Sequence, residues 1–310
     1  MTKTTLPNDP LWPRTGSWPA PASLAPDAHI DLALTGLPAW RTSLSTTGAG
    51  ETPAAVRAAF QRYSGAVMAD RGVRSDIRSI DDLTIVDFGD VHEPDGPEGE
   101  ERARAAVAEA ASRSDIAVAL GGDNSMTVSA ALGAWGDGLS TAGLITLDAH
   151  YDLRDGVSNG SPVRRLVEAG LDGRRIVQIG IADFVNSREY AQRAMDFGIT
   201  VVHRDELHRR PMVDVFAEAL EIAGAAGGPI HVDLDVDVCD RSVAPGCPAS
   251  VPGGISAWEL RQAARAAGAD PRVFSLDLAE VDATADAPDG RTVRLVALCV
   301  LEVAAGLSAR

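Results

Sequence analysis

The sequence predicts an α/β protein of three layers, with a mostly parallel sheet covered by helices on both faces. Short apolar runs alternate with amphipathic Ala/Arg/Glu-rich stretches along most of the chain. The apolar runs are nearly continuous, as expected of strands buried on both sides. At 310 residues and 45% hydrophobic content, the chain can bury a sizeable core.

Residues 1–28 are rich in Pro, Trp and Ser and read as an irregular N-terminal arm. Trp12 and Trp18 are expected to pin this arm to the body or to a neighbouring subunit, because an exposed indole leaves a large apolar surface in water. A single domain is expected over 29–310, since no internal repeat and no linker interrupt it. Strand-like runs occupy 30–36, 83–88, 115–120, 144–148, 176–181, 199–202, 229–235 and 273–278. Helix-like stretches occupy 53–64, 100–112, 164–170, 187–197, 212–225, 257–267 and 293–306. Thr52-Pro53 offers a capping hydroxyl followed by Pro at the first turn. Ser256 with Glu259 three residues later forms a capping box.

The formal net charge of -16 excludes nucleic acid as a natural partner, since such binding needs Lys and Arg against the phosphates. An acidic surface instead favours divalent cations and cationic ligands. Cys239, Cys247 and Cys299 are odd in number and form no CxxC pair, which fits a reducing compartment and no disulfide framework. No apolar run approaches the ~20 residues that span a bilayer. The N-terminus carries no apolar signal core, so the expected location is the cytoplasm, without membrane partners.

In a parallel sheet, ligands bind beyond the carboxyl ends of the strands. Three strands run there into polar clusters: Gly121-Gly122-Asp123-Asn124-Ser125, Asp148-Ala149-His150-Tyr151-Asp152, and Asp233-Leu234-Asp235-Val236-Asp237-Val238-Cys239-Asp240. Residues two apart on an extended chain share a face, so Asp148, His150 and Asp152 can converge, as can Asp235 and Asp237. Crowded carboxylates need a compensating cation, and mixed Asp/His ligation suits Mn²⁺ or a similar first-row ion. Any one cluster alone is also explained by helix caps or a tight turn. Three at strand ends, in an order that a parallel sheet can bring together, point to a metal centre.

From about Asp31 to Ala304 these residues resemble the ureohydrolase family, which includes arginase, agmatinase, guanidino-acid hydrolases and formiminoglutamase. Asp148-Ala149-His150-Tyr151-Asp152 matches the family's DAHxD signature. Asp235 to Asp240, followed by Val243-Ala244-Pro245-Gly246, is similar to DxDxxDP…APG, with Arg241 in place of the proline. That register leaves Asp233 outside the ligand set. Asp277-Leu278-Ala279-Glu280 resembles the DxxE segment, and Asp286 and Thr292 continue the pattern.

The resemblance implies an arginase-like fold, assembly as a homo-oligomeric trimer or hexamer, and two Mn²⁺ ions per subunit bridged by a water or hydroxide. Asp148 and Asp235 would bridge the ions, Asp152 would serve the first, and His150 with Asp237 the second. The bridging hydroxide would attack an amidine or guanidine carbon, with Glu280 holding the cationic nitrogens.

Two positions depart from the pattern. Asn124 stands where the family has a histidine ligand to the first metal. An amide oxygen is the weaker donor, so that site is labile, differently coordinated or empty. Asn159 stands where many members carry a proton-shuttling histidine. The leaving group must then be protonated by water or by an acid such as protonated Asp152.

Asp152-Leu153-Arg154 and Ser158-Asn159-Gly160-Ser161-Pro162-Val163-Arg164 are similar to the DxR…SxGxPxR stretch of formiminoglutamases. Substrate contacts are therefore expected from Arg154, Ser158, Asn159, Arg164 and Glu280. The two arginines would grip an acidic substrate, or else serve surface salt bridges. The expected small-molecule substrate is N-formimidoyl-L-glutamate, giving L-glutamate and formamide. Agmatine or a guanidino acid, giving urea, is the alternative within the class. A reading from another class is a non-catalytic relative with an altered metal site. His203, His208 and His231 read as surface or satisfied histidines, Cys239 as a packing residue, and Arg57 and Arg62 as solvated.

Overall fold

Branched aliphatic residues and alanine fill the strand-forming runs, and helices cover both sides of them. The computed structural model describes residues 9–68 and 77–310. In chain order the elements are β1 (Ile30–Leu37), α1 (Thr52–Phe60), β2 (Ala66–Met68), β3 (Ile77–Ser79), β4 (Ile85–Asp90), α2 (Gly96–Ser112), β5 (Ser114–Gly121), α3 (Thr127–Trp135), β6 (Gly143–Leu147) and α4 (Pro162–Ala169). They continue with β7 (Ile176–Ile181), α5 (Arg188–Phe197), β8 (Thr200–His203), α6 (Arg204–Leu207), α7 (Met212–Ala223), β9 (Ile230–Asp235), α8 (Ala257–Ala269), β10 (Val273–Ala279) and α9 (Arg291–Leu307).

Eight strands form one sheet in the order β4-β1-β5-β10-β9-β6-β7-β8, and every pairing in it is parallel. Each of these eight was predicted from its apolar run. Side chains alternate between the faces, so Ile145 and Leu147 join a core with α1, α7, α8 and α9, through Phe60, Phe216, Leu260 and Val300. Leu144 faces the other way, onto Trp135, Leu166 and Ala194 from α3, α4 and α5. Each large side chain buried this completely contributes about 1.5–3 kcal/mol.

The predicted helices are present, within a few residues at their ends. Four elements were not expected. The antiparallel pair β2–β3 has only three residues per strand, and α6 has only four. Helix α3, Thr-Val-Ser-Ala-Ala-Leu-Gly-Ala-Trp, is buried on most of its circumference and so lacks the one-sided pattern of a surface helix.

Ser256 and Glu259 make the expected capping box. Thr52 does not cap α1. A short 3₁₀ turn precedes it, so Thr52 is already helical and its hydroxyl donates to the Val281 carbonyl at 2.5 Å. The arm is tied down by Trp18, whose ring centroid lies 4.8 Å from that of Phe60. Trp12 is 46% exposed and stacks under the Arg14 guanidinium at 4.3 Å, so the body covers it only in part. Among the described residues, no helix is long and apolar enough to cross a membrane.

Candidate metal centre

The sheet order places β5, β10, β9 and β6 side by side. Their carboxyl ends carry Gly121–Ser125, Glu280, Asp235 with Asp237, and Asp148–Asp152, so four segments distant in sequence meet at one place. Gly122 allows this crowding, because a β-carbon there would stand 1.9 Å from the Ala39 carbonyl oxygen.

Two ligand-like clusters result. Asp148, Asp152 and Asp235 bring one oxygen each within 4.8 Å of one another, and Asp148, His150 and Asp237 do the same with their ligand atoms. Asp148 belongs to both. The carboxylates are fixed by nearby backbone. Asp148 Oδ1 accepts the His150 N–H at 2.6 Å, Asp235 Oδ1 accepts the Asp237 N–H at 2.8 Å, and Asp237 Oδ1 accepts the Ala149 N–H at 2.9 Å. Asp148 Oδ2 is buried and has no hydrogen-bond partner among the described residues.

The electrostatics describe a cage that needs positive charge. Burial, then the neighbouring Asp237, pushes the Asp148 pKa up to about 7. Burial likewise raises Asp152 and Asp235 well above the usual carboxylate range. Burial alone would strip the proton from His150, but Asp237 and Asp148 outweigh it and hold the imidazolium up to about 12. Burial opposes ionisation of Asp237, yet His150, 2.6 Å away, keeps that carboxyl below its ordinary value. A protonated imidazole thus sits where the donor set would take a cation. The three carboxylates of one cluster, and the two carboxylates with an imidazole of the other, each fit a first-row divalent ion.

Glu280 faces this cage from β10. Its Oε1 accepts the Asn124 N–H at 2.9 Å and the Asn159 side-chain N–H at 2.7 Å. Burial, then Asp123, lifts its pKa to about 7, against those two hydrogen bonds. The backbone at both Asp152 (φ 53°) and Glu280 (φ 61°) is left-handed, a conformation that strains residues bearing a β-carbon.

Asn124 does not offer its oxygen to the cage. Its Oδ1 accepts from the Thr127 hydroxyl at 2.7 Å, and its Nδ2 donates to Asp152 Oδ2 at 2.7 Å. Replacing this amide with an imidazole exchanges a donor aimed at Asp152 for a metal-binding nitrogen. Asn124→His is expected to raise Mn²⁺ affinity at the Asp148/Asp152/Asp235 cluster by roughly tenfold or more. Titration of the metal-free protein, followed by Mn²⁺ paramagnetic resonance, checks this; unchanged affinity would show that position 124 does not face the ion.

A cavity of about 570 Å³ opens over the cage and is lined by His150, Asp152, Asp235, Asp237 and Glu280 at its floor. Arg154 and Asn159 also line it. The Arg154 stem lies over Gly160, where a β-carbon would be 2.7 Å from its Cδ, and its guanidinium lies 6.0 Å from the Tyr190 ring centroid. Among the described residues, no carboxylate forms an ion pair with Arg154, whereas Asp155 pairs with Arg193 at 2.8 Å.

Two expected substrate contacts are corrected. Arg164 turns away from the cavity to brace the preceding loop, donating to the Arg154 and Gly156 carbonyls and pairing with Glu168. Ser158 is buried behind the cavity wall, with its N–H on Ser161 Oγ at 3.0 Å. Asp286 and Thr292 serve the fold. Asp286 accepts from the Thr292 and Val293 N–H groups at the start of α9, and Thr292 Oγ1 accepts the Gly246 N–H.

Asp233 lies outside both clusters, beside Asp277, its register partner on β10. His231 is fully buried and satisfied by Ser275 at 2.7 Å and Asp277 at 2.9 Å. Burial raises the Cys239 thiol, which agrees with packing rather than nucleophilic chemistry. Another His/Asp grouping, exposed His29 and Asp115 with partly buried Asp31, lies at the opposite, amino ends of β1 and β5.

Asn186 was missed from the sequence. It accepts the Tyr151 N–H and donates to the Ala149 and Ala182 carbonyls, holding the His150 segment in place. The polar run after β7 was the available signal. Leu44 gave none; its N–H fixes the amide of Asn159 at 3.0 Å.

The arginase family model matches residues 30–306. The chain belongs to the arginase family. This family member is 34% identical to the formimidoylglutamase of Halalkalibacterium halodurans over 265 residues, covering 82% of this chain and 80% of that protein. Its fold is similar to the crystal structure of formimidoylglutamase from Bacillus subtilis subsp. subtilis str. 168, with TM-score 0.86, 27% identity, and coverage of 99% of this chain and 95% of that one. It is also similar to the crystal structure of Trypanosoma cruzi formiminoglutamase with Mn²⁺₂, with TM-score 0.78, 25% identity, and coverage of 91% and 94%.

Proposed function

We propose that this arginase-family protein hydrolyses N-formimidoyl-L-glutamate to L-glutamate and formamide, with one Mn²⁺ in each carboxylate cluster. Asp148 would serve both ions, Asp152 with Asp235 would complete the first site, and His150 with Asp237 the second; the family resemblance would have Asp235 reach the second ion as well. Mn²⁺ held there supplies the Lewis acidity that makes water nucleophilic near neutral pH.

The chain's own groups divide the remaining tasks. Ionised Glu280 binds the amidinium nitrogens, and Asn159 orients Glu280 through the 2.7 Å hydrogen bond to its Oε1. Asn159 cannot carry a proton. Asp152, ionised in the loaded site, would take up the proton released as water attacks and pass it to the departing nitrogen, so that glutamate leaves as an amine.

The observation that carries the substrate is Arg154. Among the described residues it has no ion-pair partner, and it lines a cavity that also carries Asp152, Asp235, Asp237 and Glu280. A ligand matching this polarity has an amidinium at one end and carboxylates at the other. The ammonium tail of agmatine would meet Arg154 with like charge. Resemblance to the formimidoylglutamases points the same way.

The test is a panel of N-formimidoyl-glutamate, agmatine and guanidino acids, assayed with added Mn²⁺ for formamide and urea. Formamide release from the formimidoyl substrate should exceed urea release from every other compound, and a preference for agmatine would overturn the assignment. Arg154→Met should raise KM for the formimidoyl substrate by roughly 10- to 100-fold with kcat little changed, as expected for a lost charge-assisted contact remote from the reacting carbon. A fall confined to kcat would show that Arg154 does not bind the acidic end.

The proposal assigns catalysis to one domain over 29–310, acting in the cytoplasm as a homotrimer or hexamer. Three buried free thiols suit a reducing compartment.

A further inference from the structure

We propose that Arg204 is a positioning residue of the metal centre, a buried guanidinium that supplies resident positive charge behind Asp237 and Asp148 while bracing the turn that carries Asp237. The inference rests on the metal-binding reading above.

Arg204 opens α6 directly after β8, and only 8% of it is exposed. Its Nη2 donates to the Val238 carbonyl at 3.2 Å, and its buried Nε has no hydrogen-bond partner among the described residues. Val238 closes the single 3₁₀ turn Val236–Val238, whose middle residue is Asp237. Gly180 lets that turn sit tightly over β7, since a β-carbon there would stand 2.4 Å from Val238 Cγ2.

Other shielded arginines rest on carboxylates: Arg57 on Asp87, Arg165 on Glu100, and Arg261 on Glu302. Among the described residues, Arg204 has no carboxylate within the 4.0 Å of an ion pair. A buried charge left unpaired is costly, so it persists where a wider field compensates it. That field is present. Burial lowers the Arg204 pKa, and the carboxylates opposing it most strongly are Asp237 and then Asp148. One guanidinium set behind a surplus of acids lowers their mutual repulsion before any ion arrives, and competes weakly with the ion afterwards.

A neutral prop for Val238 would act alike in both states; a charge would not. The experiment uses full-length Arg204→Gln, which keeps an amide donor without the charge, and Arg204→Lys, which keeps the charge without the fork. Thermal midpoints are measured after chelation and at saturating Mn²⁺, together with Mn²⁺ binding isotherms. Arg204→Gln should lose more midpoint in the metal-free form than in the loaded form, and bind Mn²⁺ at least about tenfold more tightly. Arg204→Lys should return both readouts toward wild type.

Equal losses in both states, no rescue by lysine, or an Arg204→Gln protein that stays unfolded at saturating Mn²⁺ would each overturn the inference. A wild-type protein that takes up no Mn²⁺ would overturn the metal reading, and this one with it. Normal uptake by wild type with unaltered variants would sink this one alone.

Discussion

Asp148→Asn is expected to abolish turnover, by at least about 10³-fold in kcat, while the folded protein becomes more stable without metal. Asp148 is the residue common to both clusters, and it is fully buried. Asparagine has the same shape, and its Oδ1 can still accept the His150 N–H that Asp148 Oδ1 now holds. The substitution therefore spares the local fold but removes an anion that would serve both ions. The same anion is held at an unfavourable pKa of about 7 by burial and by Asp237, so its loss relieves repulsion in the metal-free chain. Metal content, kcat and the thermal midpoint of chelated protein check the three parts. Asp233→Asn is the control, since Asp233 belongs to neither cluster. It should keep both ions, and loss of Mn²⁺ there instead would show that the ligand register is shifted by two residues.

Stripping the metal should reverse how stability depends on pH. Burial raises the folded pKa of Asp148 to about 7, against an ordinary value near 4, and that of Glu280 also to about 7. Between about pH 4 and 7 the folded chain therefore holds more protons than the unfolded chain, and its stability falls as pH rises through that window. His150 adds to the same slope at higher pH. Its folded pKa lies at about 12, so its stabilisation is complete below about 6.5 and declines between there and 12. The thermal midpoint of chelated protein should drop by several degrees from pH 5 to pH 8. With Mn²⁺ saturating, the ligands are ionised and His150 is neutral, so binding expels protons and tightens as pH rises. The midpoint should then climb over the same interval. Parallel slopes with and without Mn²⁺ would mean that the ion does not bind these groups.

The strands were legible because each is an unbroken apolar run of fitting length, and the polar residues at their carboxyl ends marked where the carboxylates gather. Period-two spacing led to Asp148, His150 and Asp152 converging and to Asp235 joining Asp237. Asp148 does lie with Asp152 in one cluster and with His150 in the other, whereas Asp235 and Asp237 divide between the two. Other features were decided by direction, which spacing does not encode. Arg154 and Arg164 look interchangeable in the sequence, yet one lies along the cavity and the other holds loop carbonyls. Asn124 was legible as a departure from a motif, while its hydrogen bond to Asp152 was not. Helix α3 was hidden by burial on most sides, and Arg204 by having a role only in tertiary context.

The left-handed main chain at Asp152 and Glu280 bears on whether this protein is a working enzyme or an inert relative. Glycine would relieve roughly 1 kcal/mol or more at each place, and asparagine part of it. A chain needed only as a scaffold has a lower-energy sequence one substitution away at both. Keeping two acids there makes sense where their charge, aimed by that twist, is used.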